Sequence, residues 1–323
     1  MAIRKYNIIF IGTPEFSVPT LKALISDERF NVAAVVTAPD AKVGRKQVMT
    51  PPPVKAVAKK YNIPVFQPKS LKKTPLSRLG EALGVRVDII ITIAYGQILP
   101  KEILEMPKHG CLNLHASLLP KYRGASPIQT AIANGEDETG VTLMKMDKGL
   151  DTGPVIAQEK IKISPEETGD SLHDKLSKLS AQVIIKYLPD YPEGKITAKK
   201  QTNKDATLAP KLTRDSGHID WNKPAVDIER LVRAYHPWPG TWTVWDGQKL
   251  KITSVSLSPE DTIGQLKLHD KKINAPGDIF LYKNKLAVRC GDGALLIEKL
   301  QLSGKKIMSA EEFLRGYRGH LSQ

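Results

Sequence analysis

Short runs of β-branched residues alternate with amphipathic stretches through the first part of the chain, which is typical of a parallel sheet with crossover helices. The pattern predicts strands at Asn7–Gly12, Val32–Thr37, Asp88–Ala94, Cys111–His115 and Val141–Lys145. It predicts helices at Val18–Ser26, Val54–Tyr61, Leu76–Leu83 and Pro127–Asn134. We therefore expect an α/β fold with an open, doubly wound, mostly parallel sheet, in which ligands bind outside the carboxyl ends of the strands.

The pattern changes after a long predicted helix that ends near Leu188. Pro, Asp and Gly then break regular structure, and lysine-rich sequence with few apolar residues continues to about Asp205. Beyond it the pattern predicts one helix and five short strands, at Ile228–Ala234, Thr241–Trp245, Lys249–Val255, Asp278–Tyr282, Lys285–Arg289 and Ala294–Leu300. Hairpin turns join the strands, which indicates a small OB-like β-barrel. We expect a first domain over residues 1–189, a basic linker over 190–207 and a β domain over 208–323.

The composition excludes several classes of protein. Hydrophobic residues make up 41% and charged residues 25% of the 323 positions, as in globular chains with real cores. No apolar run approaches the roughly 20 residues that a membrane span needs. The two cysteines, Cys111 and Cys290, have no metal-binding spacing. These features predict a cytoplasmic protein without a structural metal.

The net charge is strongly positive, with 48 Lys and Arg against 34 Asp and Glu, a formal charge of +14. Such an excess indicates an anionic partner without identifying it. Part of it lies in the predicted linker, where Lys195, Lys199, Lys200 and Lys204 follow Glu193 with no acidic residue before Asp205. Two interpretations stay open for this run, a solvated linker or a segment that contacts phosphates.

Nucleotide-binding motifs are missing. Gly12 follows the first predicted strand, but the sequence Gly12–Ser17 lacks the further glycines that let a backbone approach a pyrophosphate. The chain also has no P-loop. NAD, FAD and a P-loop nucleotide are therefore not expected.

Candidate chemistry gathers at the end of a predicted strand. Asn113 and His115 are two positions apart, so they share one face of the strand. Asp151 follows in a loop bracketed by Gly149 and Gly153. Together they offer an oxyanion donor, a base and an orienting acid. Two alternatives are weaker: Asp151-Thr152-Gly153 occurs once, whereas aspartic proteases need two carboxylates, and no GxSxG supports a Ser-His-Asp triad.

These residues belong to a set of motifs that closely resembles the folate-dependent formyltransferase family. The first part of the chain carries Asn113-Leu-His115, Ser117-Leu-Leu-Pro120, Arg123-Gly124 and Leu150-Asp151-Thr152-Gly153. Ile11–Phe16, Ile219-Asp220-Trp221, Ala234–Trp242 and Gly304–Ala310 are similar to family members that act on tRNA. The resemblance covers nearly the whole chain and implies a Rossmann-like catalytic domain followed by an OB-like tRNA-binding domain.

The resemblance also implies an activity. The formyl donor would be 10-formyltetrahydrofolate, and the acceptor would be the α-amino group of methionyl-initiator tRNA. The transfer would need no metal. Its product would serve translation initiation. Asn113, His115 and Asp151 match the family's catalytic residues, and the segment Ser117, Leu118, Leu119 and Pro120 matches its folate site. Two rivals are a nucleotide-amino-sugar N-formyltransferase and a non-catalytic RNA-binding protein on the same fold.

The tRNA contacts implied by the resemblance lie outside the catalytic centre. In the tRNA-directed members an insertion corresponding to Ala38–Gln47 contacts the acceptor end, and Arg45 matches its functional arginine, with Lys46 beside it. The lysine-rich linker is then expected to contact phosphates. No obligate protein partner and no membrane partner are implied.

Arg45 gives a test that separates this loop from the catalytic centre. We expect Arg45→Ala to weaken formylation of methionyl-tRNA strongly while leaving folate affinity unchanged. Arg45→Lys should rescue only partly, because lysine keeps the charge but lacks the planar fork that binds a phosphate through two hydrogen bonds. Steady-state kinetics and folate titration measure the two effects. Equal loss of folate affinity would place the loop in another role.

Overall fold

The computed structural model describes residues 5–44, 46–72, 84–259 and 275–317, and the predicted helix Leu76–Leu83 lies outside them. The chain forms two compact units. The first comprises Met1–Pro127, Glu138–Lys162 and His173–Pro210, and the second comprises Ile128–Asp137, Ile163–Leu172 and Lys211–Gln323. The segment predicted as a linker thus belongs to the first unit.

The first part of the chain alternates strands and helices as the sequence pattern predicts. Its strands are β1 (Tyr6–Gly12), β2 (Phe30–Val36), β3 (Ala41–Val43), β4 (Val48–Thr50), β5 (Val65–Phe66), β6 (Ile89–Ile93), β7 (Cys111–His115), β8 (Arg123–Gly124), β9 (Glu138–Lys145), β10 (Val155–Lys162) and β11 (Leu208–Ala209). Its helices are α1 (Val18–Ser26), α2 (Pro53–Lys60), α3 (Lys101–Leu104), α4 (Pro127–Ala133) and α5 (Gly169–Tyr187).

The main sheet of the first unit has seven strands in the order β10-β9-β7-β6-β1-β2-β5. The five strands from β5 to β7 are parallel, whereas β9 and β10 are antiparallel to their neighbours. The chain leaves β1 on one side towards β2 and returns on the other side at β6. This reversal creates the crevice in which open α/β sheets bind their ligands, at the carboxyl ends of the strands.

The centre of the sheet is fully buried. Every residue of β6 is buried, and Ile8, Ile9, Phe10 and Ile11 of β1 are at most 1% exposed. A strand covered on both faces has apolar residues at successive positions rather than at alternate ones, as the sequence of β6 shows. The predicted open, mostly parallel sheet is therefore confirmed.

The structure adds elements that the sequence pattern did not indicate. Strand β10 forms an edge of the main sheet, and charged residues interrupt its apolar positions, which obscured it. The predicted loop after Ala38 contains the hairpin of β3 and β4, whose described strand residues are all exposed. Exposed residues on both faces give no apolar alternation by which a strand is recognised.

The segment between Asp190 and Pro210 returns along the first unit. Val155 and Lys199 exchange two backbone hydrogen bonds of 2.8 and 2.7 Å. Strand β11 then pairs in parallel with β8, so that Leu208 lies opposite Arg123 and Ala209 opposite Gly124. Its backbone is therefore tied to the first unit at two places. The composition of this segment is that of a tether, but its backbone is held in place.

The second unit is antiparallel. Its elements beyond Pro210 are α6 (Ala225–Ala234), β12 (Thr241–Trp245), β13 (Gln248–Leu257), β14 (Ile279–Tyr282), β15 (Lys285–Arg289), β16 (Ala294–Leu302), β17 (Met308–Ser309) and α7 (Ala310–Tyr317). The strands lie in the order β12-β13-β16-β15-β14, with β17 beside β16. The predicted antiparallel β domain is thus confirmed. None of the described helices is long and apolar enough to cross a membrane.

The pairing of β8 with β11 depends on the absence of a side chain at Gly124. Gly124 has φ of +120°, and an added Cβ would lie 2.5 Å from the carbonyl oxygen of Ala209. Gly194 also has a positive φ, +76°, but an added Cβ would meet no atom within 4 Å. Comparing the two glycines therefore separates the steric clash from the cost of the backbone conformation.

We expect Gly124→Ala to lower the free energy of unfolding by about 1–3 kcal/mol more than Gly194→Ala, because the methyl group forces the strands apart. Chemical denaturation of both variants measures the difference. Equal losses would mean that the two strands tolerate the added methyl group.

Candidate active site

Strand β7 positions Asn113 and His115 at the crevice edge of the sheet. Asn113 lies opposite Thr92 of β6 and Met144 of β9, and His115 lies opposite Thr142. The two side chains share a face, as the sequence predicts. His115 is 6% exposed, whereas Asn113 is half-buried, and its side chain makes no hydrogen bond to the described residues. Its amide is therefore available to a ligand.

Both ring nitrogens of His115 face oxygen atoms. Nε2 lies 2.8 Å from the carbonyl oxygen of Tyr122. Because a carbonyl oxygen only accepts, Nε2 carries the hydrogen. Nδ1 lies 3.6 Å from Oδ2 of Asp151, slightly beyond hydrogen-bond length. The structure thus brings together the histidine and the aspartate that the sequence analysis singled out.

The Asp151 carboxylate is held by the backbone. Its Oδ2 accepts a hydrogen bond of 2.9 Å from the amide of Gly124. Asp151 itself has φ of +52°, a left-handed conformation that costs a non-glycine residue free energy and needs support from its surroundings. Asp147 supplies part of this support, because its Oδ1 accepts hydrogen bonds from the Gly149 amide at 2.9 Å and the Thr152 hydroxyl at 2.6 Å.

Two hydroxyl groups on β6 and just after it are buried without a hydrogen-bond partner in the described part of the chain. They belong to Thr92, opposite Asn113 on β6, and to Tyr95, which follows the same strand. Burial raises the pKa of the Tyr95 hydroxyl. A buried polar group without a partner is costly, and of the two only Thr92 lies opposite Asn113, where a polar ligand would relieve this cost. The sequence analysis did not identify either residue.

The predicted folate-site segment is fixed from behind. The Ser117 hydroxyl donates to the carbonyl oxygen of Lys121 at 2.6 Å, and Leu119 is buried, whereas Leu118 and Pro120 are half-buried. The Thr142 hydroxyl donates to the Ser117 carbonyl oxygen at 2.6 Å and accepts from the Leu119 amide at 3.1 Å.

A glutamine completes this support. Gln158 Nε2 donates to the Leu119 carbonyl oxygen at 2.8 Å and to the Thr142 hydroxyl at 2.9 Å. Two residues of the main sheet, Thr142 and Gln158, and the segment after β7 thus form one hydrogen-bonded unit. Thr142 belongs to the run Thr139-Gly140-Val141-Thr142, which also resembles the folate-dependent formyltransferases. Gln158 gave no signal in the sequence, because one of its two partners is a backbone carbonyl oxygen, which leaves no pattern along the chain.

The second residue group that sequence reasoning missed lies between Gln201 and Thr207. Gln201 Nε2 donates to the carbonyl oxygens of Asp151 at 2.7 Å and Gly153 at 2.8 Å. The Thr207 hydroxyl accepts from the Tyr122 amide at 2.8 Å. This part of the chain therefore borders the candidate catalytic centre, although its composition predicted a linker.

The residues predicted to bind tRNA are spread over two segments. Arg45 lies outside the described residues, and Lys46 is exposed beside the hairpin. The base of the hairpin is anchored where Lys55 Nζ contacts Asp40 at 2.7 Å, and Gln67 Nε2 donates to Asp40 at 2.8 Å. The hydrogen bond from Lys55, followed by that from Gln67, holds the pKa of the Asp40 carboxyl below its usual range.

The four lysines of the predicted linker differ in their surroundings. Lys195 Nζ lies 2.7 Å from Glu193 and 3.5 Å from Asp190. The hydrogen bond that the Lys195 amino group donates to Glu193 is the main cause that raises its pKa. Lys199, Lys200 and Lys204 are exposed, and their amino groups form no ion pair with the described residues. They are the more accessible charges of this run.

Among the described residues no three His, Cys, Asp or Glu side chains are grouped so as to hold a metal ion. Both cysteines are buried thiols, and burial raises the pKa of Cys111 and of Cys290 to about 12. They are unreactive apolar residues of the interior at neutral pH.

Comparison with known protein families gives two matches. The family model described as formyl transferase matches residues 6–188, and the model for the formyl transferase C-terminal domain matches residues 211–318. The chain belongs to the formyl transferase family. The resemblance carried by the Asn113, His115 and Asp151 motifs is thereby confirmed at the level of the family.

Curated formyl transferases resemble the chain over nearly its full length. The methionyl-tRNA formyltransferase of Geobacter metallireducens is 44% identical, with 97% of this chain and 96% of that protein covered. The methionyl-tRNA formyltransferase of Alkaliphilus oremlandii is 46% identical, with 96% of both covered. That of Halalkalibacterium halodurans is 45% identical, with 98% and 96% covered.

Solved structures of formyl transferases share the fold. WlaRD, a sugar 3N-formyl transferase in the presence of dTDP and 5-N-formyl-THF, has a TM-score of 0.64 and 21% identity, with 95% of this chain and 100% of that chain covered. The methionyl-tRNA formyltransferase from Clostridium thermocellum has a TM-score of 0.54 and 17% identity, with 78% and 94% covered. At these identities the likeness concerns the fold alone.

Proposed function

We propose that this formyl transferase moves the formyl group of 10-formyltetrahydrofolate to the α-amino group of methionyl-initiator tRNA. The observation that carries the proposal is the agreement over nearly the whole chain with relatives named methionyl-tRNA formyltransferase, at 44–46% identity. Because the agreement includes both units, it extends beyond the formyl-transferring part. The product would enter translation initiation.

The reaction exchanges one bond at the formyl carbon for another and moves a proton. The amino nitrogen bonds to the formyl carbon, and the bond from that carbon to the folate nitrogen breaks. The amine must lose a proton, and the folate nitrogen must gain one. Between these events the formyl oxygen carries negative charge, which hydrogen-bond donors stabilise. A catalyst thus needs a donor for this oxygen and a group that moves the proton.

We assign to Asn113 the donation of a hydrogen bond to the formyl oxygen, because its half-buried side-chain amide makes no hydrogen bond to the described residues. We assign proton movement to His115, oriented by Asp151. His115 Nε2 donates a hydrogen bond to the Tyr122 carbonyl oxygen, so a bound substrate has to compete with this oxygen for the Nε2 hydrogen. Such competition is common, because catalytic contacts often tighten only in the substrate complex. Asp151 remains beside Nδ1, where a carboxylate stabilises the ring in the required orientation.

We assign Ser117, Leu118, Leu119 and Pro120 to the folate site. Thr142 and Gln158 hold the backbone of this segment by hydrogen bonds to its carbonyl oxygens. A backbone held in this way suits a surface that must keep one shape to bind the rigid ring system of folate. The unpartnered hydroxyl of Thr92, opposite Asn113 on the neighbouring strand, fits a heterocycle that carries hydrogen-bonding atoms. Folate acts here as a cosubstrate, and the formyl group arrives already activated on its nitrogen.

We assign tRNA binding to Arg45 and Lys46 in the insertion, to the linker lysines and to the domain at 208–323. The exposed positions of Lys199, Lys200 and Lys204 suit phosphate contact. We expect Lys195 to contribute less to tRNA binding than the other lysines of the run, because Glu193 already neutralises its charge. The two rivals are not favoured: an amino-sugar transferase leaves the full-length relatives unexplained, and a non-catalytic protein leaves the grouping of Asn113, His115 and Asp151 unexplained.

We expect His115→Ala to fold and to lose roughly two to four orders of magnitude in turnover, because general acid–base catalysis contributes about that much. Asp151→Asn should cost a comparable factor, because it removes the charge that orients the ring. Mass spectrometry of formyl-methionine on charged initiator tRNA, after incubation with 10-formyltetrahydrofolate, gives the rates. Near-normal formylation by folded His115→Ala would overturn the assignment.

A matched control is His173→Ala. His173 also lies beside a carboxylate, with Nδ1 3.0 Å from Asp174, but it lies on the helix α5 and outside the proposed centre. Its loss should leave turnover unchanged. A similar loss in both variants would indicate damage to the fold rather than to catalysis.

The linker lysines give a second test, based on salt. Each lysine that neutralises a phosphate releases counterions, so log tRNA affinity falls with log salt by about 0.7 to 0.9 per contact. Replacing Lys199, Lys200 and Lys204 by Ala should reduce this slope by about 2 to 3 units if all three contact phosphates. Lys195→Ala should change it little. An unchanged slope in the triple variant would favour a solvated linker.

A further inference from the structure

The side-chain amide of Gln201 connects β8 with the loop that carries Asp151, and it uses every hydrogen-bonding position that it has. Its Nε2 donates to the carbonyl oxygens of Asp151 at 2.7 Å and Gly153 at 2.8 Å. Its Oε1 accepts from Arg123, at 3.1 Å from Nε and 2.8 Å from Nη2. A primary amide has two hydrogens and two lone pairs, so every one is used.

These partners fix the orientation of the amide. If nitrogen and oxygen exchanged places, two amide hydrogens would face the Arg123 guanidinium, which only donates, and the oxygen would face two carbonyl oxygens, which only accept. The Gln201 side chain is therefore held in a single state. It acts as a rigid spacer between the Arg123 guanidinium and the loop that carries Asp151.

Arg123 brings the second segment into this arrangement. Arg123 is buried, with 7% of its surface exposed. Its Nη2 also donates a hydrogen bond to Asn203 Oδ1 at 3.1 Å. The next residue along β8 is Gly124, whose amide holds the Asp151 carboxylate. Gln201 thus contacts both sides of one hydrogen bond: the strand that donates it and the loop that accepts it.

We propose that Gln201 is a positioning residue for formyl transfer, which keeps the Asp151 carboxylate on the Gly124 amide and beside His115. The left-handed backbone at Asp151 is unfavourable without such support, and the two hydrogen bonds from Gln201 lie directly on this turn. The inference rests on the proposed function, because it assumes that Asp151 takes part in the reaction.

Two variants test the role. Gln201→Leu removes all four hydrogen bonds, whereas Gln201→Glu keeps the size and an acceptor for Arg123 but has no hydrogen to donate to the two carbonyls. We expect both to lower kcat by about tenfold to a hundredfold, the range for a displaced catalytic group, with the KM for folate changed by less than about twofold. Gln201→Glu should retain the Tm of the parent protein.

Thr202→Ala is the matched control. Thr202 is the next residue, is exposed and makes no side-chain hydrogen bond to the described residues. Its kcat should equal that of the parent. If folded Gln201→Glu also keeps the parent kcat, the positioning role is wrong.

A double-mutant cycle shows whether Gln201 acts through Asp151. In the Asp151→Asn background, Gln201→Leu and Gln201→Glu should each cost less than about a further threefold, because effects on one shared element are not additive. Losses that multiply would overturn the proposal. A normal rate in Asp151→Asn alone would contradict the proposed function instead, so the two failures are distinguishable.

A spectroscopic measurement is independent of turnover. The Gly124 amide resonance reports its hydrogen bond to Asp151, and we expect it to move upfield and to exchange faster with solvent in Gln201→Glu. In Thr202→Ala it should stay unchanged. An unchanged Gly124 resonance in Gln201→Glu would also overturn the proposal.

Discussion

The hydrogen bond from the Gly124 amide to the Asp151 carboxylate is the contact on which the geometry of the proposed catalytic centre depends. A backbone donor cannot rotate away as a side chain can, so the carboxylate is placed by the fold itself. Gly124 lies where β8 pairs with β11, and the close approach of Ala209 leaves no room for a side chain there. The position of one carboxylate oxygen therefore depends on the pairing of Gly124 with Ala209, two residues that lie far apart in the chain.

The sheet and the loops divide the work at this centre. Strand β7 presents Asn113 and His115 from a framework whose neighbouring strands are buried, so their backbone positions are rigid. The segments after the strands carry the remaining groups, and side chains such as Thr142 and Gln158 brace these segments through their main-chain atoms. Sites built in this way combine a fixed reacting centre with loops that can differ between relatives acting on different amines.

The sequence predicted the parts of the molecule that follow from periodicity. An apolar run gave the central strand β6, the spacing of Asn113 and His115 placed them on one face, and a glycine-bracketed turn marked Asp151. It could not predict Gln201 or Gln158, because each has backbone carbonyl oxygens among its hydrogen-bond partners, and such partners leave no pattern along the chain. The lysine-rich stretch before Pro210 misled for a related reason: its few apolar residues suggested a tether, whereas backbone pairing with β8 and Val155 holds it.

The pairing of β11 with β8 also bears on how such a protein can be recombined. The change in composition near Leu188 suggests a natural seam between two modules, but the first unit continues to Pro210. A hybrid joined at the earlier point would combine one parent's Arg123 and Tyr122 with the other parent's residues at 201 and 207, so it would inherit a mixed centre. Genetic exchange that respects the centre has to take place beyond Pro210. The residues beyond Pro210 can then be exchanged while all the residues grouped around Asp151 come from one parent.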